Sequence, residues 1–192
     1  MAYLSPDELA GLGLKRCGTD VRISAKASIY HADRIEIGDH VRIDDFCILS
    51  GTVSIGRNVH VAVFCHVAGG RAGIVLDDFS GLAAGCHVFT ETDDYTGQAM
   101  TNPTVPEAFT RLTRQPVVLG RHAIIGIQSA VFPGVTVAEG TSVGAMSLVT
   151  RSTEPWSIYA GIPARKIRDR SRALLDKERA YLGSGGQVSA GD

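Results

Sequence analysis

The side chains best suited to chemistry lie together in "TETDDY", residues 90–95, where two adjacent carboxylates, Asp93 and Asp94, precede Tyr95. An aspartate titrates near ~3.9, so it is a poor base for an alcohol, which keeps its proton until the transition state. It is a good holder of a cation such as an ammonium group. Asp94 is the first candidate for that role, and Asp93, Tyr95 and Asn102 are candidates to contact the same ligand. No histidine occurs from Val88 to Arg121, so this stretch offers no imidazole base. The plainer use of two acids at a loop entrance is an Asx-type turn. His60, in "NVHVA", is a candidate to relay a proton, or else a surface histidine without chemistry.

What positions these residues is a repeat that "GCHVFTETDDYTG" interrupts. Aliphatic residues recur every sixth position at Ile37, Ile43, Leu49, Ile55, Val61 and Val67. After an irregular step come Leu76, Leu82 and Val88, and beyond the interruption Leu119, Ile125, Val131, Val137, Val143 and Val149. Weaker hexads start at Cys17, Ile23 and Ile29. Such a period marks a parallel β-helix, in which a turn hides its apolar column only by stacking on the next. Eighteen hexads at three per turn predict about six turns.

The register can be tested within the sequence. The fifth position of every third hexad gives Ala27, Cys47, Cys65, Cys86, Ser129 and Ser147, all small. Three of the four cysteines thus share one internal column at the ~4.8 Å strand spacing, as packed free thiols. His66 and His87 fall side by side, one turn apart, but two ligands do not complete a zinc site. His31, His40 and His122 carry no chemical context.

The ends differ from the repeat. "SPDEL" offers Ser5 as N-cap, Pro6 at the first helical position and Glu8 closing a capping box, which predicts a helical cap over 1–16. The β-helix is expected over 17–154, with a protruding loop at 90–116. A C-terminal wall and helix follow over 155–182, the helix drawn from Arg168–Leu182, where Ala173, Leu174, Lys177, Ala180 and Tyr181 keep helical spacing. The tail 183–192 has too little to bury and is expected to be disordered.

A length of 192 residues with 44% hydrophobic content fits one domain with a substantial core. Nineteen basic residues against twenty acidic ones, in no long run, give no footprint for nucleic acid or an anionic membrane. Neither a membrane span nor a secretory signal is visible, which predicts a cytoplasmic protein.

With the hexads, "PGVTV" at 133–137, "VGAMSLVT" at 143–150 and "PWSIYAGIPARKI" at 155–167, the chain resembles the left-handed β-helix, or hexapeptide-repeat, acyltransferases. "RIDDFCILSG", "NVHVA", "DFSGLAAG", "TDDYTG" and "TNPTVP" look most like the branch acting on nucleotide-linked amino sugars or surface-polysaccharide sugars. The resemblance implies a cytoplasmic homotrimer with grooves between subunits, acetyl-CoA or another acyl-CoA as co-substrate, no metal, and a nucleotide-linked sugar as acceptor. It implies coenzyme A lying along turns that contain Gly126, Ala145 and Ser147, past Gly161 and Pro163, with its phosphates near Arg165 and Lys166. Sugar O-acetyltransferases of this fold carry a histidine early in the loop, where this chain has about Asp93. That departure favours an amine acceptor held by Asp94 over a hydroxyl. A sugar O-acetyltransferase, a γ-type carbonic anhydrase built on His60, His66 and His87, and a non-catalytic scaffold are the alternatives.

Overall fold

The computed structural model describes residues 2–184, and from residue 185 onward the expected tail lies outside the described residues. The chain winds into an all-β parallel helix with three flat faces, and the pairing register reproduces the six-residue period. The first face stacks Cys17, Ile37, Ile55, Leu76, Leu119 and Val137. The second stacks Ile23, Ile43, Val61, Leu82, Ile125 and Val143, and the third stacks Ile29, Leu49, Val67, Val88, Val131 and Val149. Six turns are complete, and Ser157–Gly161 pairs on Ser142–Val143 to open a seventh.

Each turn is closed by corners rather than by long strands. Many strands are only two residues long, and the chain bends between them through residues with left-handed φ, such as Asn58 at 55° and Phe64 at 62°. Inward aliphatic positions are almost fully enclosed, with Leu49, Val67, Leu119 and Val131 all at 0% exposure. The small column is present as expected. Cys47, Cys65 and Cys86 are buried free thiols that donate to Ala62 O, Ala83 O and Gly126 O at 3.0, 3.1 and 3.1 Å, and Ser129 continues the ladder to Gly144 O at 3.1 Å. Hydrogen bonding among the stacked thiols, then burial, push the Cys65 thiol up, so it stays protonated.

Two excursions leave the corner between the third and first faces. The strand His66–Leu76 accommodates three extra residues within Gly69–Gly73, and one turn later the chain departs at Thr90 and returns at Gln115. The longer excursion has an antiparallel neck, Glu91–Thr92 against Thr113–Arg114. Gly70 lies directly beneath that neck, where a Cβ would come within 2.6 Å of Glu91 Oε1. Its φ of 48° also suits glycine.

Helix α1, Pro6–Gly11, has the expected capping box between Ser5 and Glu8. At the other end the wall is a hairpin of Ser157–Gly161 with Ala164–Asp169. The expected helix from 168 therefore starts later, as α2 at Leu174–Gly183, because residues up to Asp169 are spent on antiparallel pairing. Helix α2 doubles back along the first corner: Asn58 donates to the Tyr181 hydroxyl at 2.9 Å, and Tyr181 meets the edge of Phe79.

Stacking leaves no room for a methyl group between some turns. A Cβ at Gly38 would lie 2.7 Å from the carbonyl carbon and oxygen of Gly56. We expect Gly38→Ala to lower stability by about 1–3 kcal/mol through overpacking. Gly11→Ala, with nothing within 4 Å, should change it by less than ~0.5 kcal/mol. Urea denaturation of both variants checks the contrast; equal midpoints would refute the stacking argument.

Candidate active site

The protruding loop organises itself around its acids. Asp94 Oδ1 accepts from Thr96 N at 2.8 Å and from Thr96 Oγ1 at 2.6 Å, the Asx-type turn that two acids at a loop entrance suggest. These bonds hold the Asp94 carboxyl below its ordinary range, so it is ionised. Among the described residues its shielded Oδ2 makes no hydrogen bond that meets full geometry, although the backbone N–H groups of Gln98 and Ala99 also help to lower the carboxyl, and an incoming donor would complete its shell. Asp93 accepts from Asn102 N at 3.3 Å, while Asn102 Oδ1 is taken by Thr104. Tyr95 projects from the loop, 90% exposed.

Two hollows flank this loop. One of about 440 Å³ is lined by Asp93, Asp94, Tyr95, Gln98 and Arg111. The other, about 560 Å³, lies between Glu91, Asp93, Asn102, Val105 and Arg114 at the neck. Arg114 pins that neck through Glu107 at 3.2 Å and Glu91 at 3.6 Å. The four loop candidates therefore belong to one structural unit.

His60 lies elsewhere, on the second face, and within one chain it does not share a hollow with Asp94. Its Nε2 is 2.8 Å from Asp44 Oδ2, and Asp44 also accepts from Arg42 Nε at 2.7 Å. The sequence reading missed Asp44. A signal existed, since Arg42 and His60 are eighteen residues apart and stack in register, with Asp44 two residues after Arg42, at the second position of the next hexad.

The C-terminal candidates divide in two. Gly126 and Ala145 touch across successive turns, with Ala145 exposed and room for no side chain at Gly126. Gly161 and Pro163 form the exposed tip of the wall, and Arg165, paired through its backbone with Ala160, is an exposed cation whose guanidinium donates to the carbonyl of Ala164 at 3.0 Å. Lys166 is engaged by Glu154 and Asp169, both at 2.8 Å, and these carboxylates, Asp169 first, push its ammonium pKa up. Ser147 is 3% exposed, donates to Gly144 O and accepts from Gly161 N, so its hydroxyl ties the wall to the last full turn.

His66 and His87 are paired in register with rings 6.1 Å apart, and burial, then His87, push the His66 pKa down. Among the described residues no group of three or more His, Cys, Asp or Glu forms a metal cluster, and His60 is turned instead to Asp44. No described helix is long and apolar enough to cross a membrane.

No family model matches the chain. It is 38% identical over 184 residues to the dTDP-4-amino-4,6-dideoxy-D-glucose acyltransferase of Escherichia coli, covering 94% of this chain and 95% of that protein. It superposes on AntD, an N-acyltransferase from Bacillus cereus solved with dTDP and 3-hydroxybutyryl-CoA, with TM-score 0.95 and 42% identity over 97% of this chain and 100% of that one. AntD has also been solved as a D94N mutant in complex with dTDP and coenzyme A. A hexapeptide-repeat acetyltransferase from Vibrio cholerae shares the fold, at TM-score 0.57 and 19% identity over 88% of this chain and 82% of that one. The full-length likeness, joined to the period-six solenoid and its acidic loop, shows that the chain belongs to the hexapeptide-repeat, left-handed β-helix family of amino-sugar N-acyltransferases.

Proposed function

We propose that the chain transfers an acetyl or other short acyl group from acyl-CoA to the amino group of a dTDP-linked amino sugar, in surface-polysaccharide biosynthesis in the cytoplasm. The observation that carries this reading is Asp94: an ionised carboxylate on the protruding loop, with one oxygen fixed by Thr96 and the other making no hydrogen bond of full geometry among the described residues. An ammonium completes the shell of Oδ2. Once the ammonium has lost one proton to water, the neutral nitrogen attacks the thioester carbonyl, the N–C bond forms and the C–S bond breaks. The second nitrogen proton ends on the coenzyme A thiol, giving an amide and free thiol. Asp93, Tyr95 and Asn102 shape the acceptor side. Gly126, Ala145, Gly161 and Pro163 wall the coenzyme A side, where Arg165 meets its phosphates more freely than the doubly engaged Lys166.

The working form in this reading is a homotrimer whose grooves combine the loop of one subunit with the flat face of the next. Exposed apolar side chains at one corner support it: Phe46 stacks on Phe64 at 5.2 Å, and Met146 is exposed on the same corner near the wall, beyond the Gly85 and Gln128 turns. Such exposure is unfavourable in water and needs cover. The buried thiols and the acyl-CoA co-substrate suit a reducing cytoplasm. Light scattering should return three times the chain mass at micromolar concentration. A stable single-chain mass would refute the shared groove.

Asp94→Asn removes the charge while keeping the shape. We expect turnover with acetyl-CoA and a dTDP-4-amino sugar to fall roughly a hundredfold, the scale for losing a positioned proton-handling group, with acyl-CoA binding and assembly intact. The AntD D94N mutant, solved with dTDP and coenzyme A, is in keeping with retained binding. Near-normal turnover of Asp94→Asn beside an inactive His60→Asn would sink the amine-holding role and favour a hydroxyl acceptor.

Arg165→Ala should raise the acyl-CoA Michaelis constant several-fold while leaving the acceptor constant unchanged. The wild-type constant should itself rise with salt, because exposed charges are screened within ~10 Å at 0.1 M. A salt-independent acyl-CoA constant, or one unmoved by the substitution, would exclude phosphate recognition at the wall.

A further inference from the structure

The pair His60–Asp44 is built unlike a surface ion pair. Asp44 has a side-chain exposure of 5% whereas its two partners, Arg42 and His60, are each about half exposed, at 47% and 50%. Burying a carboxylate is costly, and contacts to two groups that water would solvate anyway return little stability. What the arrangement does secure is orientation. Arg42 grips both carboxylate oxygens, Nε to Oδ1 at 2.7 Å and Nη2 to Oδ2 at 3.3 Å, and in that fixed pose Oδ2 also holds one ring nitrogen of His60 at 2.8 Å and determines the face that the ring presents.

That ring borders a slot of about 380 Å³ on the second face, floored by Ala62, Gly81, Ala83 and Ala84 and closed on the far side by Ile124. Register places Gly81 directly between His60 and Ile124. The fold does not demand a glycine there. A Cβ at Gly81 would meet only His60 O, at an ordinary 3.6 Å, whereas at Gly56 or Gly126 it would come within 2.4 or 2.5 Å of a neighbouring turn. The missing side chain therefore opens the slot beside the imidazole. Ile124 in turn leads to Gly126, on the coenzyme A side of the proposed site.

Resting on the acyl-transfer reading above, we propose that this slot receives the acyl group and thioester of acyl-CoA, with His60 as its proton carrier and Asp44 as the positioning residue that acts through His60. With the Nε2 proton shared with Asp44, Nδ1 of His60 has the free lone pair. After the neutral amine attacks, the nitrogen bears the extra proton; His60 Nδ1 takes it as the N–C bond completes. As the carbonyl re-forms and the C–S bond breaks, the imidazolium returns that proton to the departing thiolate. The imidazole is regenerated, and the products are an amide and a thiol.

The test uses the full chain with acetyl-CoA, a dTDP-4-amino sugar and, in parallel, a hydroxy sugar, following thiol release. Asp44→Asn and His60→Gln should each lower kcat about ten- to a hundredfold, with both Michaelis constants within twofold of the wild type. The double variant should be no slower than His60→Gln alone, since residues acting as a unit are not additive. Gly81→Val should fill the slot and raise the acyl-CoA constant at least tenfold. Losses that multiply in the double variant, or near-normal kcat in either single one, would overturn the proposal, as would an unmoved acyl-CoA constant in Gly81→Val. Should Asp44→Asn fail to fold, the half-exposed His60→Gln decides, because normal turnover there leaves Asp44 nothing to act through. Wild-type enzyme that acylates only the hydroxy sugar would overturn the amine reading instead, and the same variants would then be scored on that acceptor.

Discussion

Every feature of the molecule depends on backbone hydrogen bonds that run from each turn to the next. Arg42 N donates to Val59 O, Ile48 N to Cys65 O and Gly126 N to Val143 O, at 2.8–3.0 Å. A two-residue strand cannot satisfy its own polar groups, so a turn is stable only between two others. This explains the strict inward column and the glycines that let backbones approach. It also explains the thiol ladder, in which a small weak donor reaches the carbonyl of the following turn without disturbing the stack.

The same constraint decides where chemistry can reside. Inward positions are closed, and a flat face by itself offers only a shallow hollow such as the slot beside His60. What remains are the outward positions, the corners and any excursion that leaves the stack without breaking it. Thr90 and Gln115 bracket the long excursion, and Gln115 N bonds back to Thr90 O at 2.9 Å, so the ladder resumes at Val117–Leu119 as though the loop were absent. The acids of the loop and the imidazole of the face are therefore separate additions to one scaffold. In a single chain they remain apart, and it is the proposed trimer that brings them to one groove.

The register was legible because the inward position tolerates few residue types, and all eighteen hexad starts fall in their expected columns. The boundary of α2 was not, because Ala164–Asp169 is held by pairing with Ser157–Gly161, and local helix propensity carries no information about that partner. Ser147 was legible as buried, because its place in the internal small column already implied the enclosure that its hydroxyl has beneath the wall. Asp44 was hidden, because an acid directly after an inward isoleucine looks like solvent-facing polarity until the turn above supplies His60.

A solenoid must also end, and its open edges would otherwise offer unpaired backbone to other chains. At the start, Leu4 N bonds to Ile23 O and α1 lies over the first turn. At the finish, the hairpin covers the last turn while Arg170 donates to the carbonyls of His122 and Gly140 at 2.9 and 3.0 Å. Helix α2 then returns along the corner, where Glu178 meets Arg121 and His122, and Tyr181 reaches Asn58. Burial, then Arg121, push the His122 pKa down, so at neutral pH this clasp is held by Arg121 and a neutral ring stacked on Phe79. Asn58 lies in the same short segment as His60. The C-terminal element thus closes the last turn of the stack and braces the turn that presents the imidazole, linking those two regions through packed side chains rather than through the solenoid alone.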